Sequence, residues 1–293
     1  MSPLWITAIL TTHQRPSLML RALASLGAET RRPDEILVVE DGDDPATAGL
    51  LRASGIRCRL LQRPMGSVAK ARNLGLEEAR GDWVIYLDDD DIAYPDRCRV
   101  LAAAALRSGC GLVFGSTLKV SATVQYGVPT HHPLQEGHGT FLDFLRCMPH
   151  TNSILFRKAD LVGVGGFVES SSYFSDLCAL LHLLDRLPEE SGAFRVPHPH
   201  LAEFEAAADG MTFAVARGRT MKVKVLEAFD SLRLKREPNR RAVRRVREAV
   251  ERAEPFQDYD SYVAIAAECL ASLDPVPRPR PGVARARARA QVG

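Results

Sequence analysis

Asp88-Asp89-Asp90-Asp91 is the densest chemical feature of this 293-residue chain, and it directly follows the apolar run Trp83–Leu87. Four adjacent carboxylates repel one another. At the carboxyl end of a buried strand they lower their energy by taking up a divalent cation. In an extended segment residues i and i+2 point to one side, so Asp88 and Asp90 share a face. Hard oxygen donors suit Mg²⁺ or Mn²⁺, which take one or two carboxylates and complete their shell with phosphate oxygens. A second candidate, Asp176, stands ahead of Leu177, Leu180, Leu181 and Leu184. It reads either as a proton-accepting base or as a carboxylate favoured by a helix N-terminus.

Alternating elements must position these groups. Leu4–Leu10, Glu35–Glu40, Arg57–Gln62 and Trp83–Leu87 read as buried strands; helices are expected from Arg15-Pro16-Ser17, through Leu51, over Ser67–Ala79 and over Pro95–Leu106. This alternation predicts an α/β fold: a mainly parallel sheet flanked by helices, with ligands gathering at the strands' carboxyl ends. Three of those ends are polar: Thr11-Thr12-His13, Glu40-Asp41 and Asp88–Asp91. Further on, Gly111–Phe114 and Ser153–Phe156 read as strands and Asp176–Leu184 as a helix. Residues 121–140, rich in Gly, Pro, Thr and His, read as a loop. Residues 218–274 read as a helical extension broken near Pro238 and Pro255, and 275–293 as a disordered Pro/Arg-rich tail.

Five motifs occur in order: Thr11-Thr12-His13-Gln14-Arg15-Pro16; Val38-Val39-Glu40-Asp41-Gly42-Asp43; Gly66 through Ala71-Arg72-Asn73 to Gly75, closing at Gly81-Asp82; Leu87-Asp88-Asp89-Asp90-Asp91 with Pro95; and Gly165-Gly166-Phe167 before Ser175-Asp176-Leu177. Together they resemble a family 2 glycosyltransferase with the Rossmann-like GT-A fold, over about residues 4–185. The resemblance implies a GT-A domain over 1–217, with a nucleotide-binding half to 115 and an acceptor-binding half from 116.

It also implies an inverting enzyme that moves a sugar from a nucleotide diphosphate, UDP favoured, to an acceptor the sequence does not identify. In that scheme Asp41 accepts a base imide N–H, and Thr11, His13 and Arg15 line the nucleotide pocket with Glu40 near the ribose. Lys70, Arg72 and Asn73 lie toward the diphosphate, although the two cations also suit a solvated helix face. Asp89 approaches the donor, Asp90 ligates Mg²⁺ or Mn²⁺ with Asp88 in support, and Asp176 is the general base. Glu40, His13-Gln14 and Ser175 depart from the family pattern of Asp, Tyr-Asn and Glu. A nucleotidyltransferase would carry a glycine-rich loop after the first strand, and Thr11–Arg15 has none. A catalytically silent module that binds a nucleotide sugar is the other alternative.

Composition frames these expectations. Apolar residues at 46% and charged residues at 25% exclude wholesale disorder. The net charge of +2 argues against a dedicated nucleic-acid binder, yet it is a cancellation. Residues 1–234 carry −3, 235–252 carry +5, 253–274 carry −5 and 275–293 carry +5. The basic block reads as a helix face paired with the acidic segment after it, or as a contact for anionic lipid. Six scattered cysteines without a C-x-x-C pair, no secretory signal pattern and no long apolar run predict a cytoplasmic protein with reduced thiols. His131, His132, His138 and His150 are irregularly spaced and read as acceptor-loop or surface residues.

Overall fold

The computed structural model describes residues 4–121, 124–130, 137–146, 149–170, 174–188, 192–196, 200–205, 221–256 and 259–273. Four apolar runs form the parallel core of an eight-stranded sheet. They are β1 (Ile6–Thr12), β2 (Glu35–Glu40), β3 (Arg59–Gln62) and β4 (Trp83–Asp88). β1 is buried along its whole length, as a central parallel strand covered on both faces must be. β6 (Leu112–Phe114), β9 (Gly137–Gly139), β10 (Ile154–Arg157) and β11 (Ala193–Arg195) complete it in the order β3-β2-β1-β4-β10-β6-β11-β9. β10 runs antiparallel to both β4 and β6. This is the mainly parallel, helix-flanked sheet that the alternation predicts.

A second sheet, β5-β12-β7-β8, is built from β5 (Ile92–Ala93), β7 (Thr117–Ser121), β8 (Val124–Thr130) and β12 (Ala202–Glu205). β5 begins one residue after the aspartate run, so its pairing with β12 pins that run from the far side.

Helices α1 (Pro16–Gly27) and α4 (Arg97–Ser108) cover one face of the main sheet through Met19, Leu23, Leu101 and Ala105. α2 (Pro45–Ala53) packs on α1. The other face carries α3 (Val68–Glu78), α5 (Phe141–Arg146) and α7 (Ser175–Arg186), with the short α6 (Lys158–Gly163) beside α3 and α7. α8 (Met221–Asp230), α9 (Glu237–Arg252) and α10 (Tyr259–Leu270) extend that layer. Val225, Phe229, Val246, Val250 and Tyr262 join one core with Leu180 and Leu184 of α7.

The structure sharpens three expectations. The segment 121–140 is not simply a loop: it contains β8 and β9. Pro129, which argues against a central strand, is accommodated because β8 is the sheet edge. The break expected near Pro238 falls at 231–236, and Pro238 itself sits in the first turn of α9, where its missing N–H costs nothing. Among the described residues the basic face of α9 makes no ion pair with the acidic segment 253–274. Arg240 bonds Glu237, and Arg247 bonds Asp230 and Glu251. Arg241, Arg244, Arg245 and Arg252 are exposed, with no ion pair among the described residues. The tail 275–293 lies outside the described residues. No described helix is long and apolar enough to cross a membrane, and the five described cysteines form no disulfide.

Candidate active site

β1 and β4 are paired in register, Thr11 opposite Asp88. Thr11 Oγ1 therefore donates to Asp88 Oδ1 at 2.7 Å, and Thr12 Oγ1 donates to Asp89 Oδ2 at 2.7 Å. Beyond β1 the chain turns through Gln14, whose φ of 52° is left-handed. The turn sends Arg15 back over the aspartates, 2.5 Å from Asp89 Oδ1 and 3.0 Å from Asp90 Oδ2. From α3, Arg72 donates to Asp88 Oδ2 at 2.8 Å and lies 4.0 Å from Asp176 Oδ2. Thr151, in the 3-10 turn Thr151–Ser153, donates to the same Asp176 oxygen at 3.0 Å.

Asp176 occupies the first turn of α7, so the helix-terminus reading of the sequence holds there too. The residue ahead of α7, Phe174, has φ 56°, a conformation that costs a bulky residue about 1–2 kcal/mol. Gln14 and Phe174 are the only left-handed non-glycine residues among the described ones, and each flanks this pocket. Strain of this kind persists where surrounding structure enforces it, commonly at functional sites.

The electrostatics are unbalanced. The carboxyl groups of Asp88, Asp89, Asp90 and Asp176 are paired with two guanidinium groups, those of Arg15 and Arg72, with Asp91 beside them and a third guanidinium, that of Arg21, on the Asp90 backbone oxygen at 3.0 Å. Burial works against ionisation of Asp88, but Arg72 and Thr11 hold its carboxyl below the usual range. Burial pushes Asp89 up to about 6, against the pull of Thr12 and Arg15. Asp90 is raised by burial and by Asp88, and Asp91 is raised well above its ordinary value by burial and then by Asp88 and Asp90. This excess of negative charge is what a divalent cation would neutralise. Among the described residues no three His, Cys, Asp or Glu side chains form a metal cage. The donor set instead fits an ion held by one or two carboxylates and completed by phosphate oxygens. Asp90 meets Arg15 through Oδ2, 3.0 Å away.

The nucleotide-side residues differ in how they are held. Asp41 accepts from the backbone N–H of Met65 (2.5 Å) and Gly66 (2.8 Å) on Oδ1 and of Ser67 (2.9 Å) on Oδ2. That leaves about one of a carboxylate's four acceptor positions open. His13 is exposed, its Nδ1–H directed at the Asp41 carbonyl oxygen 2.5 Å away. Glu40 is fully buried and accepts from Gln62 Nε2 at 2.9 Å, so it shapes the pocket from beneath.

The structure separates the two cations of α3. Arg72 is buried in the carboxylate cluster and stacks over the Phe167 ring at 5.4 Å. Lys70 is exposed, on the face that lines a cavity of about 330 Å³ with Arg63, Met65, Glu77 and Glu169. Asn73 is engaged by the turn that follows α6. Its amide clamps the Gly165-Gly166-Phe167 turn, accepting from Phe167 N–H at 2.8 Å and donating to Phe167 O at 2.9 Å. Gly166 is required there: its φ is 71°, and a Cβ would lie 2.5 Å from Asn73 Oδ1.

Sequence reading did not assign three further residues of the pocket. Asp91 accepts from Asn152 Nδ2 at 2.8 Å. Arg97, fully buried, pairs with Glu29 at 2.8 Å and donates to the backbone oxygens of Asn152 (2.9 Å) and Tyr86 (3.3 Å), tying β4 to the 3-10 turn. His150 lies 3.8 Å from Asp91, with burial holding its pKa below the usual value against the pull of Asp88 and Asp176. An arginine at the start of a helix gives no sequence signal of complete burial, and one of four irregularly spaced histidines carries no period.

The model of the glycosyl transferase family 2 matches residues 7–161, more than half of the chain, and the chain belongs to that family. The succinoglycan biosynthesis protein ExoW of Rhizobium meliloti (strain 1021) is 34% identical over 99 residues, 31% of this chain and 31% of that protein. The chain thus spans about a third of the length of this curated relative. Among solved structures, S. aureus TarS 1–349 in complex with UDP-GlcNAc superposes with a TM-score of 0.67 at 16% identity, covering 84% of this chain and 72% of that one. The mannosyltransferase PcManGT from Pyrobaculum calidifontis, in complex with GDP-Man and Mn²⁺, superposes at 0.62 with 15% identity, over 92% and 75%. These likenesses establish the GT-A fold.

Proposed function

We propose that this protein transfers a sugar from a nucleotide diphosphate sugar, UDP-linked by preference, to an acceptor hydroxyl with inversion at the anomeric carbon. The observation that carries this reading is Arg72, which touches Asp88 at 2.8 Å and approaches Asp176 to 4.0 Å. It joins a donor-side carboxylate and a candidate base in one pocket. The bound ligands of the two structural relatives, UDP-GlcNAc in one and GDP-Man with Mn²⁺ in the other, support a donor of this class.

Asp90, with Asp88 beside it, would hold Mg²⁺ or Mn²⁺; when bound, the ion neutralises charge that develops on the leaving diphosphate. Asp41 offers its remaining acceptor position to a base imide N–H, with His13 and Thr11 at the pocket wall. Arg15 and Arg72 screen the aspartates from the incoming diphosphate. Asp176, with one oxygen fixed by Thr151 and Arg72, takes the proton of the acceptor hydroxyl as that oxygen attacks. Attack opposite the leaving group inverts the configuration, by the same one-step logic as in inverting glycosidases. The exposed Arg241, Arg244, Arg245 and Arg252 of α9 support contact with an anionic lipid surface.

The test is thermal unfolding against a panel of nucleotide sugars with Mn²⁺ or Mg²⁺. A true donor raises the melting temperature in a metal-dependent way, because it binds only the folded chain. No shift with any nucleotide sugar overturns the reading.

A further inference from the structure

Arg15 occupies the place that the donor reading gives to a divalent cation. Its guanidinium lies 2.5 Å from Asp89 Oδ1 and 3.0 Å from Asp90 Oδ2, and Asp90 is the carboxylate proposed to hold the ion. Burial works against its charge, but Asp89, Asp90 and Asp88 raise its pKa above the usual range, so Arg15 is a permanent cation on the aspartate run.

The backbone is bent to put it there. Gln14 adopts φ 52°, a left-handed conformation that is costly for any residue with a Cβ. Pro16 then opens α1, which leaves Arg15 as the residue capping a 12-residue helix. A cation at that end opposes the helix dipole, and the Arg15 side chain makes no cap bond to α1. It is turned to the aspartates instead, and their charge offsets both the strain at Gln14 and the unfavourable dipole. The Arg15 side chain keeps 29% exposure, against 1% for Asp89, so it can leave the carboxylates without opening the core.

A divalent cation on Asp90 would meet this guanidinium at close range, in a site too buried for water and salt to screen the repulsion. The side chain on a flexible stem is the partner able to move. A guanidinium released beside the aspartates suits a diphosphate, because its planar fork matches phosphate oxygens.

We propose that Arg15 is a resident counter-cation of the aspartate run, which yields Asp90 to an incoming divalent cation and then binds the diphosphate arriving with that ion. The inference rests on the donor reading above. Its consequence is coupling: cation and nucleotide bind better together than apart, each raising the other's affinity by the same factor.

Two titrations test this. Free Mn²⁺ is counted by its electron paramagnetic resonance signal as protein is added without nucleotide, and UDP binding is followed by calorimetry in saturating Mn²⁺. Arg15→Gln should bind Mn²⁺ alone about fivefold more tightly than wild type, the worth of one partly exposed ion pair. The same variant should bind UDP about tenfold more weakly, the worth of one charged hydrogen bond. Loss of a merely structural ion pair does not move the two affinities in opposite directions. Arg15→Lys keeps the charge and loses the fork, so its Mn²⁺ affinity should stay within about twofold of wild type while UDP weakens. Affinities that move together in Arg15→Gln, or either one unchanged, overturn the inference. Should Arg15→Gln fail to fold, Arg15→Lys decides, and UDP binding equal to wild type overturns the inference there. A wild type that binds no UDP in Mn²⁺ overturns the donor reading itself, and this inference with it.

Discussion

The two halves of the central sheet reach the pocket by different means. On the parallel side each functional carboxylate ends a strand or follows one directly, and strand pairing places it. Asp88 faces Thr11 across the β1–β4 ladder, and Asp41, one residue past β2, is gripped by three backbone N–H groups. On the antiparallel side the groups come from a helix start and a 3-10 turn. Asp176 and the turn that carries Thr151 are held by side chains: Arg72 and the Arg97–Asn152 bracket. Backbone pairing is a property of the whole strand and tolerates substitution, whereas a side-chain bracket depends on each member. On the proposed function, the parallel half would serve as the socket for a donor and the antiparallel half as the part that meets the reaction.

The sharpest way to break that contrast is Asp176→Asn. It should lower turnover by about 10²- to 10⁴-fold, the usual contribution of a general base, with nucleotide-sugar affinity within about twofold of wild type. Parallel measurement of nucleotide release and calorimetric binding checks it, and loss of both together would erase the distinction between the halves.

Arg97→Leu removes the tie between β4 and the turn that carries Asn152. It leaves Glu29 charged, buried and unpaired, so unfolding in urea should show a loss of about 3–5 kcal/mol.

Asp89 sharpens the comparison through pH. Its carboxyl is raised from 3.8 to about 6 in the fold, so the folded chain holds a proton that the unfolded chain releases. That contribution to stability is fully present below about pH 4 and is lost as pH rises through about 6, amounting to at most ~3 kcal/mol. Urea midpoints of metal-free protein from pH 4 to 7 should fall more steeply for wild type than for Asp89→Asn.

The smallest effect is expected far from either half. Replacing Arg241, Arg244, Arg245 and Arg252 of α9 together by Gln should change stability by no more than about 0.5 kcal/mol. The same variant should lose sedimentation with vesicles rich in phosphatidylglycerol at low salt.

What the sequence made legible follows this same division. β1, β2 and β4 are unbroken apolar runs ending in polar residues, so strand identity and the placement of Thr11, Asp41 and Asp88 were readable from pattern alone. Arg72 and Lys70, two residues apart on one helix, were indistinguishable by type, and only packing shows one inside the carboxylate cluster and the other facing solvent. Asn73 was placed toward the diphosphate by the family resemblance of its motif; its role as a clamp depends on Phe167, 94 residues away. β8 was hidden by the glycine and proline it contains, which an edge strand accepts. Arg97 matters through a partner 68 residues distant in sequence, Glu29, and no local period reports such a pair.

The most direct measurement is calorimetric titration of UDP with and without Mn²⁺ into wild type and into Asp90→Asn. A donor site built on the aspartate run predicts that Mn²⁺ tightens UDP binding to wild type by about tenfold or more, ~1.4 kcal/mol. In Asp90→Asn the two titrations should coincide. UDP binding to wild type that is absent, or indifferent to Mn²⁺, would contradict the account.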